Sequence, residues 1–476
     1  MMNKPIVDAV NTKKPASKPI ADHGSNGQSA AKSGIVPPAK VHQVLGEHML
    51  VDGFDLVVDL KHSSGSYIQD ARTGKRYLDF FTFFASSPIG LNHPKLLVPE
   101  FTEKLLRTAV NKPSSSDAYT VEMAEFVQTF GRVAIPEYLP HLFLIEGGSL
   151  AVENALKIAF DWKVRKNFMK GYKEERGQSV MHFKYAFHGR SGYTMSLTNT
   201  DPNKTLYFPK FKHWPRIDAP YLHYPQNDKN QALALQDEAR TVAQMEAAFI
   251  EHRDDIAAII IEPIQGEGGD HHFTKRFFET LRRLANENEA MLIFDEVQTG
   301  VGLTGKMWAH EYFVKPDIMV FGKKSQVCGV LAGKRVEEVK DHVFMKSSRL
   351  NSTWGGNLVD MVRFQRYLEV IEEEHLLENV KKQGAHLLSK LNELQQEFPG
   401  MIEGARGLGL FCAFSMTEAQ MRDLLKQKCY DAGLIVIGCG DRSIRFRPAL
   451  NITSEALDIG IGIIRDQLKA LSVRNY

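Results

Sequence analysis

Residues 291–324, MLIFDEVQTGVGLTGKMWAHEYFVKPDIMVFGKK, constrain this chain more than any other stretch. One apolar run, Met291 to Phe294, ends on Asp295 and Glu296; a second, Ile318 to Phe321, ends on Gly322, Lys323 and Lys324. Short continuous apolar runs of this kind, separated by a Gly-rich loop and an aromatic-rich segment, read as parallel strands of one buried sheet. Ligands of open α/β sheets bind outside the carboxyl ends of such strands. A carboxylate and an amine are therefore offered to one crevice. The pair suits a cofactor carrying both a ring nitrogen and an aldehyde, and pyridoxal 5'-phosphate is the candidate.

The flanking pattern agrees with an α/β fold. Strands are predicted over 141–145, 180–183 and 257–261, alternating with helices over 150–168, 233–251 and 275–288, which indicates a mostly parallel sheet. In the first of these helices Val152, Ala155, Leu156, Ala159 and Phe160 keep helical spacing on one face. Nearer the N-terminus, strands over 66–69 and 76–79 flank a turn at 70–74. Beyond Trp354 the rhythm turns helical over 359–398, with a break near Glu373 or Gly384. Helices over 418–432 and 455–471 then flank strands over 410–414, 434–437 and 443–446. At 476 residues the chain exceeds one core of the usual size. The expected division is a disordered polar extension (1–40), an N-terminal segment of a small domain (41–100), a large cofactor domain (101–350) and a C-terminal small domain (351–476).

Composition narrows the function classes. With 59 basic against 57 acidic residues and no dense Lys/Arg patch, nothing favours nucleic acid. No apolar run approaches bilayer length, so no membrane partner is expected. The cysteines, Cys328, Cys412, Cys429 and Cys439, contain no CxxC pair, which fits reduced thiols in a cytoplasmic protein. Residues 1–40 are rich in Lys, Ser, Ala, Gly and Pro, and the first arginine of the chain is Arg72. That reads as an extension rather than a transit peptide.

Several motifs stand at strand ends, each with a plainer reading beside it. Glu146-Gly147-Gly148-Ser149 could seat a phosphate at a helix N-terminus, or could be a tight turn with Ser149 as N-cap. In Phe187-His188-Gly189-Arg190 the ring could stack on a planar cofactor and Arg190 could fork onto a carboxylate. The loop Glu262 to Asp270, EPIQGEGGD, offers two glutamates and a glutamine where a plain connection would also do. Asp295, held ionised beside a pyridine nitrogen, would keep that nitrogen protonated. Lys323 or Lys324 would supply the amine, and the plain alternative is a pair of exposed lysines opening a loop. A nicotinamide-dependent oxidoreductase is the rival from another class. Its nearest fingerprint, Gly407-Leu408-Gly409-Leu410-Phe411-Cys412, has Cys in the third glycine's place and precedes a strand-like run rather than a helix. No HxxxH spacing supports a metal, and His271 and His272 are adjacent.

Taken together, EGGSLAVENALKIAF, FHGRSGYTMSLTNT, IEPIQGEGGD, LIFDEVQTGVGLTGKMWA, PDIMVFGKK and STWGGN resemble the class III (ω-amino) aminotransferases, fold-type I pyridoxal phosphate enzymes. The resemblance runs from about Val41 to the C-terminus. It implies a large, mostly parallel-sheet cofactor domain and a smaller α+β domain drawn from both termini. It selects Lys323, directly after the strand-ending glycine, as the Schiff-base lysine. Gly148 and Ser149 match the phosphate turn, although close relatives often carry Ala at the second position. Phe187 and Val297 would cover the two ring faces, Asp295 would pair with the pyridinium nitrogen, and Gln298 would lie near the ring hydroxyl. Thr353 would reach the phosphate of a neighbouring subunit, implying a homodimer with shared sites. VHQVLGEHMLVDGFDLVVDL, LNSTWGGN and IRFRPAL further imply L-lysine as amino donor and 2-oxoglutarate as acceptor, with ornithine or 4-aminobutyrate as the alternative donors. On that pattern Arg190 holds lysine's α-carboxylate. Arg445 is neutralised by Glu267 in the lysine half-reaction and freed for the oxoacid's α-carboxylate in the next. Phe84 would line the substrate channel.

Overall fold

The computed structural model describes residues 35–473, so the expected disordered extension falls outside the described residues as far as residue 34. The described residues fall into two separate units, 35–55 and 56–473. In the described part of the first, Pro38–Lys40 forms a 3₁₀ turn and Val41–Gly46 a short helix, and His42 lies 3.5 Å from Asp55.

The second unit opens with a hairpin, β1 (Tyr67–Gln69) and β2 (Arg76–Asp79), joined through the expected turn. The large sheet follows: β3 (His141–Ile145), β4 (Ser179–Phe183), β5 (Arg216–Ile217), β6 (Ile256–Ile261), β7 (Met291–Asp295), β8 (Ile318–Phe321) and β9 (Cys328–Ala332). Their spatial order is β3-β9-β8-β7-β6-β4-β5. Only β9 runs antiparallel to its neighbours, so the sheet is mostly parallel, as the apolar runs imply. Along β7 the side chains alternate between two cores. Met291 and Ile293 pack with Val152, Leu156 and Trp162 of the helix Gly148–Met169. Leu292 and Phe294 pack with Met245 of Asp228–Glu251 and with Phe277, Phe278 and Leu281 of Lys275–Glu287. Both faces of the sheet are thus covered by helices. Truncating a fully buried ring such as Phe278 to Ala would cost about 3–5 kcal/mol.

The C-terminal third supplies β10 (Ile402–Leu408), β11 (Phe411–Met416), β12 (Leu434–Ile435), β13 (Ile437–Cys439) and β14 (Ser443–Phe446). Four of them form an antiparallel sheet in the order β10-β11-β14-β13. β12 instead pairs parallel with β2, which joins the two ends of the chain in one small sheet. The Gly407-Leu408-Gly409 run lies in the β10–β11 hairpin and opens no helix, so its context is not that of a dinucleotide fingerprint. The long helical stretch breaks at His375 (φ +50°), between Leu358–Glu373 and Leu376–Glu397. Gly384, the other expected break, stays inside the second helix, where the backbone of Gly409 packs against it in the space a side chain would fill.

Candidate active site

Five strand ends meet at one cavity of about 580 Å³. After β3 the chain turns through Gly147 (φ +93°) into the helix Gly148–Met169. The first turn of that helix lines the cavity with Gly148 and Ser149. Free N–H groups and the positive dipole end make this a seat for a phosphate. Ser149 is not the N-cap. It sits inside the helix, and its Oγ bonds the hydroxyls of Ser191 (2.5 Å) and Thr194 (2.8 Å). The end of β4 contributes Phe187, His188 and Arg190, β6 contributes Glu262, β7 contributes Asp295, Val297 and Gln298, and β8 contributes Lys323. The crevice thus lies where the sheet topology places ligands.

Asp295 is buried and held from two sides. His188 Nδ1 donates to its Oδ2 at 2.8 Å, and the Val297 N–H donates to its Oδ1 at 3.1 Å. The buried Nε2 of His188 has no partner among the described residues. Glu262 lies in the same cavity wall and accepts the N–H groups of Phe187 and Gly266, each at 3.0 Å. Burial pushes its carboxyl up to about 7, and the charge of Asp295 adds to that while His188 opposes it.

The adjacent lysines have different surroundings, and neither is the exposed loop lysine of the plainer reading. Lys323 takes a left-handed backbone (φ +54°), a strained state for a residue with a side chain. Burial lowers its amine to about 8; the nearby Arg445 charge adds to this, against opposition from Asp295, Glu262 and Glu267. Its neutral fraction near neutral pH is therefore far larger than that of an ordinary lysine, as a nucleophile requires. Lys324 is buried and lines none of this cavity. It donates to the carbonyls of Gln298 (2.8 Å) and Ala85 (3.4 Å), and burial, then the Lys323 charge, hold its amine well below the ordinary range.

Behind the cavity stand two arginines two positions apart, Arg445 of β14 and Arg447 just past its end. Arg445 donates to Glu267 Oε2 at 2.6 Å, and Arg447 forks onto Asp270 at 2.6 and 2.9 Å. The second pair is fully buried. Gln298 links them, its Oε1 accepting from Arg445 (3.2 Å) and from Arg447 (3.0 and 3.1 Å). Glu267 also accepts from Lys204 at 2.7 Å. Burial is the largest single influence and would raise its carboxyl, but Arg445 and Lys204 together hold it below the ordinary range.

Eight of the predicted residues therefore share one cavity, and Glu267 and Arg445 adjoin it through Gln298. Arg190 stands exposed on the cavity wall with no ion-pair partner among the described residues. Thr353 is not brought in: it is exposed, and its carbonyl accepts from the hydroxyls of Ser114 and Ser116. Sequence reasoning missed the His188–Asp295 bond, the Arg447–Asp270 pair, the Lys204–Glu267 contact and the burial of Lys324. Only the Arg447 pair left a trace, in the alternation of IRFR.

These residues fit pyridoxal 5'-phosphate. A Cβ on Gly148 would come within 3.1 Å of Val297 Cγ1, so glycine keeps the phosphate turn and the ring-facing valine close. Opposite the turn lie a carboxylate fixed by a histidine and an amine with a lowered pKa, the donor set this cofactor needs. Comparison with known proteins agrees. The class-III aminotransferase family model matches residues 51–468. An L-lysine-epsilon aminotransferase of Mycobacterium tuberculosis is 53% identical over 437 residues, covering 91% of this chain and 96% of its own. One from Amycolatopsis lactamdurans is 48% identical with the same coverage. The solved lysine aminotransferase of M. tuberculosis in its internal aldimine form is 52% identical. It superposes with a TM-score of 0.90 over 91% of this chain and all of its own. Family model, relatives and cavity concur: the chain belongs to the class-III aminotransferases, enzymes that work with pyridoxal phosphate.

Proposed function

We propose that this aminotransferase moves the ε-amino group of L-lysine to 2-oxoglutarate, yielding 2-aminoadipate 6-semialdehyde and L-glutamate. The observation that carries the reading is the Glu267–Arg445 pair at 2.6 Å beside a cavity whose wall carries the unpaired Arg190. One site must accept a chain ending in an ammonium group and then a dicarboxylate. An unpaired buried arginine would repel the first and attract the second, so a removable carboxylate on Arg445 serves both. Arg190 is then the fixed anchor for the far carboxylate, a fork–fork contact for which guanidinium is suited. The relatives that bear a lysine aminotransferase name support the choice of donor.

When bound, pyridoxal phosphate supplies an aldehyde for the amine and an electron-withdrawing ring for the carbon that loses a proton. The chain does the rest. Gly148, Ser149 and the helix N-terminus would hold the phosphate, and Phe187 and Val297 would cover the two faces of the ring. Asp295, oriented by His188, would pair with the ring nitrogen. Gln298 would stand by the ring hydroxyl, and its Oε1 accepts from both arginines. Lys323 Nζ would accept and carry the proton that the substrate carbon loses, a task suited to an amine lowered to about 8.

The working unit we infer is a homodimer with shared sites, in which the exposed Thr353 serves the partner's phosphate. We assign 101–350 to the cofactor domain and 41–100 with 351–476 to the smaller one, in keeping with the β2–β12 pairing. No helix among the described residues is long and apolar enough to cross a membrane. All four cysteines are buried and unpaired, in keeping with a cytoplasmic site of action. Turnover of lysine, ornithine and 4-aminobutyrate, each with 2-oxoglutarate, tests the reading. Lysine should be preferred; ornithine or 4-aminobutyrate turning over faster would reassign the donor.

A further inference from the structure

The carboxylate of Glu267 has two cations, one on each oxygen. Arg445 donates to Oε2 at 2.6 Å, and Lys204 donates to Oε1 at 2.7 Å. They come from different parts of the fold. Arg445 is on β14 and almost fully buried, 2% exposed, whereas Lys204 ends the 3₁₀ turn Pro202–Lys204 and is 25% exposed. That turn is capped by Asp201, whose side chain accepts the Asn203 N–H. The Lys204 amine also lies 3.4 Å from the Thr200 hydroxyl and 5.5 Å from the centre of the Phe187 ring. It therefore reaches Glu267 past Phe187, the ring expected to cover the cofactor.

Freeing Arg445 for a carboxylate has a cost that the two-residue switch leaves unaddressed. Glu267 is only 27% exposed, and a largely buried charge stripped of its partner is strongly unfavourable. Arg445 and Lys204 occupy separate oxygens, so the carboxylate can leave the first without losing the second. Lysine suits this duty because its ammonium is a point charge on a flexible stem, able to follow a moving carboxylate, whereas a guanidinium fork fixes one orientation. With Arg445 in place Lys204 is one of two partners; with Arg445 withdrawn it is the only cation among the described residues left hydrogen-bonded to Glu267. Its contribution is accordingly larger in the state that receives the oxoacid.

We infer that Lys204 is the positioning residue of the switch: it holds Glu267 while Arg445 binds the incoming dicarboxylate, and so acts on the acceptor half-reaction rather than the donor one. The inference rests on the exchange of Glu267 for substrate carboxylate proposed above. No bond to substrate is assigned to Lys204.

The test uses the holoenzyme and glutarate, a dicarboxylate without the reactive keto group, with binding read by calorimetry. Lys204→Met should weaken glutarate binding by about tenfold or more, and Lys204→Arg, which keeps the charge but not the flexible point-charge geometry, should restore only part of it. In a Glu267→Gln background, where no charge has to be held, Lys204→Met should change binding by less than about threefold. Single-turnover rates with lysine should change by less than about threefold in Lys204→Met, while the step with 2-oxoglutarate slows by about tenfold. A loss of equal size in the Glu267→Gln background would mean that Lys204 touches the ligand directly, and would overturn the inference. So would unchanged glutarate binding in Lys204→Met, or equal slowing of both half-reactions. Lysine turnover by the unaltered protein is scored separately. If it fails while the Lys204–Glu267 coupling in glutarate binding persists, the donor is wrong and the role of Lys204 stands.

Discussion

Lys323 and Lys324 share a residue type and a peptide bond, yet the backbone sends one amine into the cofactor cavity and the other into a carbonyl cage. Lys323→Ala should therefore abolish turnover, by about a thousandfold or more, because nucleophile and proton carrier are lost together. Lys324→Met keeps the volume but drops bonds to two buried carbonyls. It should lower stability by about 1–3 kcal/mol and turnover by less than about tenfold. Single-turnover rates and denaturation midpoints for both variants check this; the reverse ranking would exchange the two roles. A second expectation uses protein stripped of cofactor. Only the neutral Lys323 amine can attack an aldehyde, and its pKa is lowered to about 8. The rate at which added pyridoxal phosphate is captured, followed in the near-visible, should rise about tenfold per pH unit below 8 and level off above it. A plateau beginning only near 10 would mean that the amine has an ordinary environment. Sequence alone left these two lysines tied, since burial and direction are set by distant residues such as Ala85 and Arg445. Resemblance chose Lys323 from its place after Gly322, and Lys323 is the one of the two that lines the cavity.

At the scale of elements, the parts legible in sequence were those whose burial is continuous. β7 and β8 are apolar at each position from Met291 to Phe294 and from Ile318 to Phe321, and their ends fall where expected. β10 was not foreseen because IEGARGL has no clean alternation and its register slips between Glu403 and Arg406. The segment after β2 was illegible for a different reason. Thr82, Phe83, Phe84 and Ala85 all take positive φ, a left-handed turn of residues that disfavour it by about 1–2 kcal/mol each. No local pattern encodes such a turn; tertiary anchors hold it. Asp79 Oδ1 accepts the N–H groups of Phe81 and Thr82, each at 2.8 Å, and the Thr82 hydroxyl donates to the Arg447 carbonyl at 2.5 Å. Burial raises Asp79 from 3.8 to about 6. A raised carboxyl contributes stability that is fully present below the unfolded pKa and is lost as pH rises through the folded one. Asp79→Asn retains an acceptor oxygen for both N–H groups and cannot ionise. Relative to the unaltered protein, this variant should gain stability between about pH 4 and pH 6, by on the order of 3 kcal/mol, and hold that gain above. Denaturant unfolding at pH 4, 5, 6 and 7 measures it, and a difference independent of pH would mean that Asp79 is not the anchor described.

Over the whole molecule, the proposed homodimer would complete the phosphate site from two chains. Gly148 and Ser149 supply one wall, but Thr353 lies exposed in the STWGG segment, outside the cavity of its own chain. Beside it Trp354 is half-exposed and carries the Lys112 amine 4.1 Å from its ring centre. A surface tied this firmly to Ser114 and Ser116, yet serving no site within its own subunit, is well placed to serve another. Closed two-fold symmetry would then give each dimer two sites, each built from the lysine of one chain and the threonine of the other. This arrangement makes a prediction that no single-site scheme shares. Protein carrying Lys323→Ala should be inactive, and protein carrying Thr353→Ala should bind the cofactor weakly and turn over slowly. When the two are mixed and allowed to exchange subunits, each mixed dimer holds one site with both defects and one site with neither. Random exchange of equal amounts should restore about a quarter of the activity per site of the unaltered protein. Regained activity, measured at a cofactor concentration that leaves the Thr353→Ala protein unsaturated, would establish that the threonine acts across the interface. Simple averaging of the two parents, with exchange verified by mass, would instead return Thr353 to its own chain and require another donor to complete the phosphate site.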